Sequence, residues 1–138
     1  MRYIKNNLFI ENRGIFDLAN KYGTPLYCYS FNKLKSNIYR FKNSFKKISP
    51  LICFSVKSNS NISLLKEIKK LGLGADVVSK GELFAALKAG INKKKIVFSG
   101  VGKTAEEIDY AIRENILLIN AESHNEVLVI EKIAKKRK

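Results

Sequence analysis

Residues 51–82 read Leu51-Ile-Cys-Phe-Ser-Val-Lys-Ser-Asn-Ser-Asn-Ile-Ser-Leu-Leu-Lys-Glu-Ile-Lys-Lys-Leu-Gly-Leu-Gly-Ala-Asp-Val-Val-Ser-Lys-Gly-Glu82. An apolar run, Leu51–Val56, gives way to a polar segment. Ile62, Leu65, Ile68 and Leu71 then recur at helical spacing on one face, and a second apolar run follows at Ala75–Val78. Two short β-branched runs joined by one amphipathic helix predict a βαβ unit, whose strands pair in parallel.

The same beat extends outward. Runs at Leu26–Tyr29, Ile96–Phe98 and Leu117–Ile119 join the first two, with starts 25, 24, 21 and 21 residues apart. Ala105, Ile108, Ala111 and Ile112 share a second helical face. Ser79…Glu82, Thr104…Glu107 and Ser123…Glu126 read as capping boxes, in which a hydroxyl and a carboxylate satisfy the free amides of a helical first turn. Gly23, Gly72, Gly90 and Asn115 stand where helices should stop. Five strands with five helices fit a complete open α/β sheet of flavodoxin type or the first five units of a (β/α)8 barrel, and periodicity does not choose between them. Residues 1–25 depart from the beat: Tyr3–Ile10 predicts a short strand, and Ile15–Tyr22 a short helix ending at Gly23-Thr24-Pro25. Lys135-Lys136-Arg137-Lys138 reads as a solvated helix end.

The 138 residues are 46% apolar and 28% charged, enough for a single buried core, which sets aside disordered, collagen-like and disulfide-scaffold classes. No apolar stretch approaches the ~20 residues of a spanning helix, and Met1–Asn7 carries no secretory h-region, so a cytoplasmic protein without a membrane role is expected. Cys28 and Cys53 lie in apolar runs and read as reduced core residues. The net charge of +14 invites nucleic acid. However, only Arg2, Arg13, Arg40, Arg113 and Arg137 carry the planar fork suited to phosphates and bases, and the lysines are scattered. A binding stripe for nucleic acid is therefore not expected. Without a Cys-x-x-Cys or a histidine cluster, no metal site is expected either, and His124 reads as a surface residue of a helical first turn.

In both architectures ligands bind at the carboxyl ends of the parallel strands. The candidates are Ser30; Lys57, Ser58 and Asn59; Asp76 and Ser79; Ser99, Gly100, Gly102 and Lys103; and Asn120 and Glu122. Lys57 follows the run Leu51–Val56, and alternation places it on the face of Cys53 and Ser55. A lysine carried inward on a buried strand is disfavoured as a cation and becomes a usable nucleophile toward carbonyls; the plainer reading is a terminal lysine reaching water. The segment Ile96-Val-Phe-Ser-Gly-Val-Gly-Lys-Thr104 invites a phosphate-loop reading. That loop needs a glycine five positions before the Gly-Lys pair, where Val97 stands inside the strand. A lesser anion site at this helix start stays open, as does a small non-catalytic α/β domain that binds an anion. Glu82 is explained by its capping box alone.

The run Cys53-Phe-Ser-Val-Lys57-Ser-Asn-Ser-Asn61 resembles the lysine motif of fold-type III pyridoxal-phosphate decarboxylases. Gly72-Leu-Gly-Ala-Asp-Val-Val-Ser-Lys-Gly-Glu-Leu83 is similar to the next block of that family, Ile96–Thr104 to the one after, and Gly23-Thr-Pro-Leu-Tyr-Cys-Tyr29 to its entry to the barrel. Within the family the wording looks most like the branch that converts meso-2,6-diaminopimelate to L-lysine. Branches acting on ornithine, arginine or carboxynorspermidine share the lysine block. The resemblance implies an α/β fold: part of a (β/α)8 TIM barrel of alanine-racemase type, with a β-domain that includes the extreme N-terminus. Residues 1–25 would then be a β-domain strand and lead-in helix, and residues 26–138 an incomplete pyridoxal-phosphate-binding barrel. It further implies that Lys57 holds pyridoxal 5'-phosphate through its amine, that Asp76 lies near the cofactor, and that Glu82 lies at the substrate rim. Its partners would be an amino-acid substrate and, for full-length members, a second copy in a homodimer. The family's histidine segment, glycine-rich phosphate loop and pyridine-nitrogen partner find no match here. A truncated decarboxylase, inactive and poorly soluble alone because its sheet edges lie open, is the resulting expectation.

Overall fold

Tyr3–Ile10 forms a hairpin rather than the single strand expected. Strands β1 (Arg2–Ile4) and β2 (Asn7–Ile10) pair antiparallel, with Tyr3 opposite Leu8. Lys5 and Asn6 between them have φ of 46° and 62°. This is the two-residue turn with both φ positive, whose twist matches that of its strands. Strand β3 (Arg13–Gly14) adds to β2, and helix α1 (Ile15–Tyr22) follows directly, with the bounds expected.

The computed structural model of the chain describes residues 1–137 and divides into two units, Met1–Ser49 and Pro50–Lys138. The expected solvated end at 135–138 is helical to Lys135 and exposed, and Lys138 lies outside the described residues.

In the first unit, Leu26–Tyr29 is not the strand its residues suggest. It forms no ladder with any strand among the described residues, and an extended run becomes a strand only when a neighbour meets its amides. Helix α2 (Phe31–Ser44) starts at Ser30, whose hydroxyl accepts from the Lys33 amide at 3.0 Å. Ser30 is thus a helix cap. Its hydroxyl donates to Glu11 Oε1 at 2.7 Å, and the Asn32 amide donates to the same oxygen at 3.0 Å. These bonds, the Ser30 one foremost, hold the Glu11 carboxyl below the ordinary glutamate range.

In the second unit, four parallel strands stand in sequence order: β4 (Cys53–Ser55), β5 (Gly74–Val77), β6 (Ile96–Phe98) and β7 (Leu118–Ile119). Helices α3 (Ile62–Lys70), α4 (Lys80–Lys88) and α5 (Ala105–Glu114) connect them, and α6 (His124–Lys135) follows. Sequential order decides between the two architectures left open above. A flavodoxin-type sheet reverses its strand order at a switch point, whereas a barrel adds each strand beside the last. Burial agrees. Ala75, Val77, Ile96 and Phe98 alternate onto one face and are fully buried, as are Leu65, Leu83 and Ile108 of the helices. Each of these side chains larger than alanine contributes about 1.5–3 kcal/mol through removal from water. Ser55, Asp76 and Val97, in register across β4–β6 on the opposite face, are only half-buried, and Leu118 beside Val97 is exposed. This is the helix-clad, one-sided sheet of a barrel segment.

The helix ends follow the sequence closely. Gly23, Gly72, Gly90 and Asn115 all take positive φ, 82°, 77°, 82° and 53° respectively. Of the three capping boxes, only Thr104–Glu107 closes reciprocally. In the other two the serine accepts from the glutamate amide, but the glutamate reaches one residue further back, to the Val78 amide from Glu82 and to the Glu122 amide from Glu126. Cys28 and Cys53 are free thiols, each half-buried rather than in the core. Among the described residues no helix is long and apolar enough to cross a membrane.

Candidate functional site

Strand β4 ends at Ser55, because Val56–Ser58 winds into a single 3-10 turn. The Asn59 amide donates to the Val56 carbonyl at 2.9 Å, and the Ser58 hydroxyl donates to the Ser55 carbonyl at 2.7 Å. Val56 is fully buried and anchors the turn. Lys57 therefore lies one residue past the strand, and the strand-phase argument that placed it on the face of Cys53 and Ser55 does not reach it. Nor is it buried: Lys57 is exposed, and its side chain makes no hydrogen bond or ion pair among the described residues. It is an accessible primary amine at the carboxyl end of β4.

Asp76 pairs in register with Ser55, so it stands at the same end of the neighbouring strand. The Ser99 hydroxyl donates to Asp76 Oδ1 at 2.6 Å, and the Asn120 side-chain amide donates to Ser99 Oγ at 3.0 Å. Ser99 follows β6 and Asn120 follows β7, so one polar row crosses three strand ends. Burial, with the negative charge of Asp76 in addition, pushes the Cys53 thiol up, which keeps it a protonated, poorly reactive group. Glu82 sits in the first turn of α4 with Oε2 accepting from the Val78 amide at 2.9 Å. The three residues singled out from the sequence thus lie on adjacent strand ends, with Lys57 free, Asp76 hydrogen-bonded along the sheet, and one oxygen of Glu82 committed to its own helix.

The Gly100-Val101-Gly102-Lys103 loop does not offer its lysine to an anion. The Lys103 side chain is 1% exposed, and its ammonium donates to the Gly100 and Asn120 carbonyls, both at 2.7 Å, and to Glu126 Oε1 at 2.9 Å. Three donors meet three acceptors. The Glu122 amide, then Lys103, hold the Glu126 carboxyl below the ordinary glutamate range despite the opposing effect of burial. Sequence reasoning assigned Glu126 a capping role only; its partner lies 23 residues away, beyond the reach of local pattern.

An anionic aldehyde such as pyridoxal phosphate requires an accessible amine with no carboxylate bound to it, and Lys57 meets that requirement. The chain is similar to known proteins over most of its length. The family model described as "Pyridoxal-dependent decarboxylase, pyridoxal binding domain" matches residues 31–138. A diaminopimelate decarboxylase of Helicobacter pylori strain J99 is 51% identical over 118 residues, 86% of this chain and 29% of the relative. Another from Aquifex aeolicus is 44% identical over 136 residues, 99% of this chain and 32% of the relative. The crystal structure of diaminopimelate decarboxylase from M. jannaschii in co-complex with L-lysine superimposes with a TM-score of 0.92 at 37% identity, covering 96% of this chain and 32% of that one. The chain thus spans about a third of the length of these relatives. With strand order, an accessible lysine after β4 and a match from residue 31 onward all in agreement, the chain belongs to the pyridoxal-dependent decarboxylases, in the region of their pyridoxal binding domain.

Proposed function

We propose that this chain is the cofactor-holding part of a diaminopimelate decarboxylase, acting on meso-2,6-diaminopimelate to release L-lysine. The observation that carries the reading is the unpartnered amine of Lys57, set on a buried Val56 at a strand end within a block shared with that family. The identities of 51% and 44% to diaminopimelate decarboxylases favour this substrate over other basic amino acids.

Bound pyridoxal phosphate supplies an electron-withdrawing ring that stabilises the negative charge left when a carboxylate departs. In this reading Lys57 holds the cofactor covalently through Nζ. Asp76, fixed by the Ser99 hydroxyl, presents a carboxylate beside it. Glu82 lies at the rim, where its commitment to the Val78 amide makes it a shaping group rather than a mobile acid. As the family resemblance implies, residues 1–25 contribute strands β1–β3 and lead-in helix α1 to a β-domain, and residues 26–138 form barrel units. These residues alone capture the cofactor without turning over substrate.

The test replaces the matched N-terminal third of the Aquifex aeolicus relative with this chain. The hybrid is expected to release carbon dioxide and L-lysine from meso-diaminopimelate in preference to ornithine or arginine. Lys57→Ala in the hybrid is expected to cost at least about a thousandfold in rate, since no other group replaces a covalent anchor. Preference for another amino acid, or Lys57→Ala within tenfold of the parent, roughly 1.4 kcal/mol of barrier, contradicts the reading.

A further inference from the structure

Lys103 is a sealed cation whose three donors are all used within the fold. One of its acceptors is the backbone carbonyl of Asn120, the residue that begins the polar row. From Asn120 the direction of each bond is set by chemistry. The Asp76 carboxylate only accepts, so the single Ser99 proton is drawn to it, and the Ser99 lone pair is left for the Asn120 amide. The link is mechanical: Lys103 fixes the Asn120 backbone through its carbonyl, and the Asn120 side-chain amide and the Ser99 hydroxyl then carry that placement to the Asp76 carboxylate. Glu126 completes the clamp, with Oε1 on Lys103 and Oε2 on the Glu122 amide, so the loops after β6 and β7 are tied to the start of α6.

We propose that Lys103 is a positioning residue for the candidate site: it fixes Asn120, which fixes Ser99, which orients the Asp76 carboxylate at the strand-end rim. Its functional consequence rests on the reading that Lys57 holds pyridoxal phosphate.

The test uses the full chain, Lys103→Arg, Ser99→Ala and the double variant. A guanidinium is longer and planar and does not reproduce three converging ammonium bonds. The first readout is solvent exchange of the Asn120 side-chain amide protons by NMR. They are expected to exchange at least about tenfold slower than a free asparagine side chain in the parent, and to lose that protection in Lys103→Arg. The second is borohydride-trapped labelling of Lys57 at limiting pyridoxal phosphate, expected to fall about fivefold in each single variant. The double variant is expected to fall no further, because both residues act through one row. A merely structural lysine would lower thermal stability, leave Asn120 exchange unchanged, and give losses that multiply. That result overturns the proposal, as does an Asn120 amide that exchanges freely in the parent. Should Lys103→Arg fail to fold, Glu126→Gln removes only the charge opposite the ammonium, and the same loss of protection is expected. If Lys57 takes no label in the parent, the cofactor reading fails, and the amide exchange still decides whether Lys103 holds the row.

Discussion

Gly74→Ala is expected to lower the unfolding free energy by about 3 kcal/mol, the upper range for overpacking a filled interior. A Cβ at Gly74 would stand 2.1 Å from the Lys95 carbonyl oxygen and 2.9 Å from Cys53 Sγ. The first is a backbone atom immediately before β6, so relief requires moving the start of a strand whose first residue, Ile96, is fully buried. Gly81→Ala is the matched control. Its Cβ would meet nothing closer than Ser79 Oγ at 3.9 Å, and it lies inside helix α4 without positive φ. There the gain in helix propensity is expected to stabilise by about 0.5–1 kcal/mol. Urea unfolding followed by circular dichroism reads both. Equal effects of one sign would contradict the close approach of β5 to the start of β6.

The second large effect is expected at Lys103→Met. Removing one member of a buried pair leaves the other as an uncompensated charge, at a cost of about 3–5 kcal/mol. Here the Glu126 carboxylate, 10% exposed, would lose its cation, and the Gly100 and Asn120 carbonyls would each lose a donor. Adding Glu126→Gln is expected to recover about 1–2 kcal/mol, since it removes the orphaned charge but not the orphaned carbonyls. A loss below about 1 kcal/mol for Lys103→Met would place this lysine with ordinary surface ion pairs. The exposed pairs Lys70–Glu67 at 2.6 Å and Lys135–Glu131 at 2.6 Å are the comparison.

The part of the fold readable from sequence is the part governed by local rules. Ile96–Phe98 and α1 fall on their expected bounds because apolar runs and helix stops act over a few residues. Asn115 reads as a stop because asparagine tolerates the left-handed region, and it adopts φ 53°. Where the outcome depends on a distant partner, local pattern falls short. Leu26–Tyr29 has the residues of a strand and no neighbour to make it one. Lys5-Asn6 carries no glycine, so the hairpin turn between β1 and β2 left no conspicuous mark. Strand order, which separates the barrel from the doubly wound sheet, is a property of pairing and not of period.

The candidate site divides in the same way. Lys57, Ser99 and Asn120 follow strands and Asp76 stands near the carboxyl end of β5, a rule of topology that needs no contacts. The hydrogen bonds that join Asp76, Ser99 and Asn120 span 23 and 21 residues and lie outside any local window. Lys57 shows the opposite failure. Strand alternation does not reach it, because the Val56–Ser58 turn sets the strand end at Ser55. Its accessibility comes from that turn.

Reductive trapping puts this lysine to the most direct test. The chain is incubated with pyridoxal phosphate at limiting concentration, reduced with borohydride, digested and mapped by mass spectrometry. The cofactor mass is expected on Lys57 in preference to the other exposed lysines, with Lys93, Lys94 and Lys135 as internal references. Label spread over the lysines in proportion to their exposure, or Lys57 left unmodified while those references react, would contradict the assignment of this amine as the cofactor's anchor.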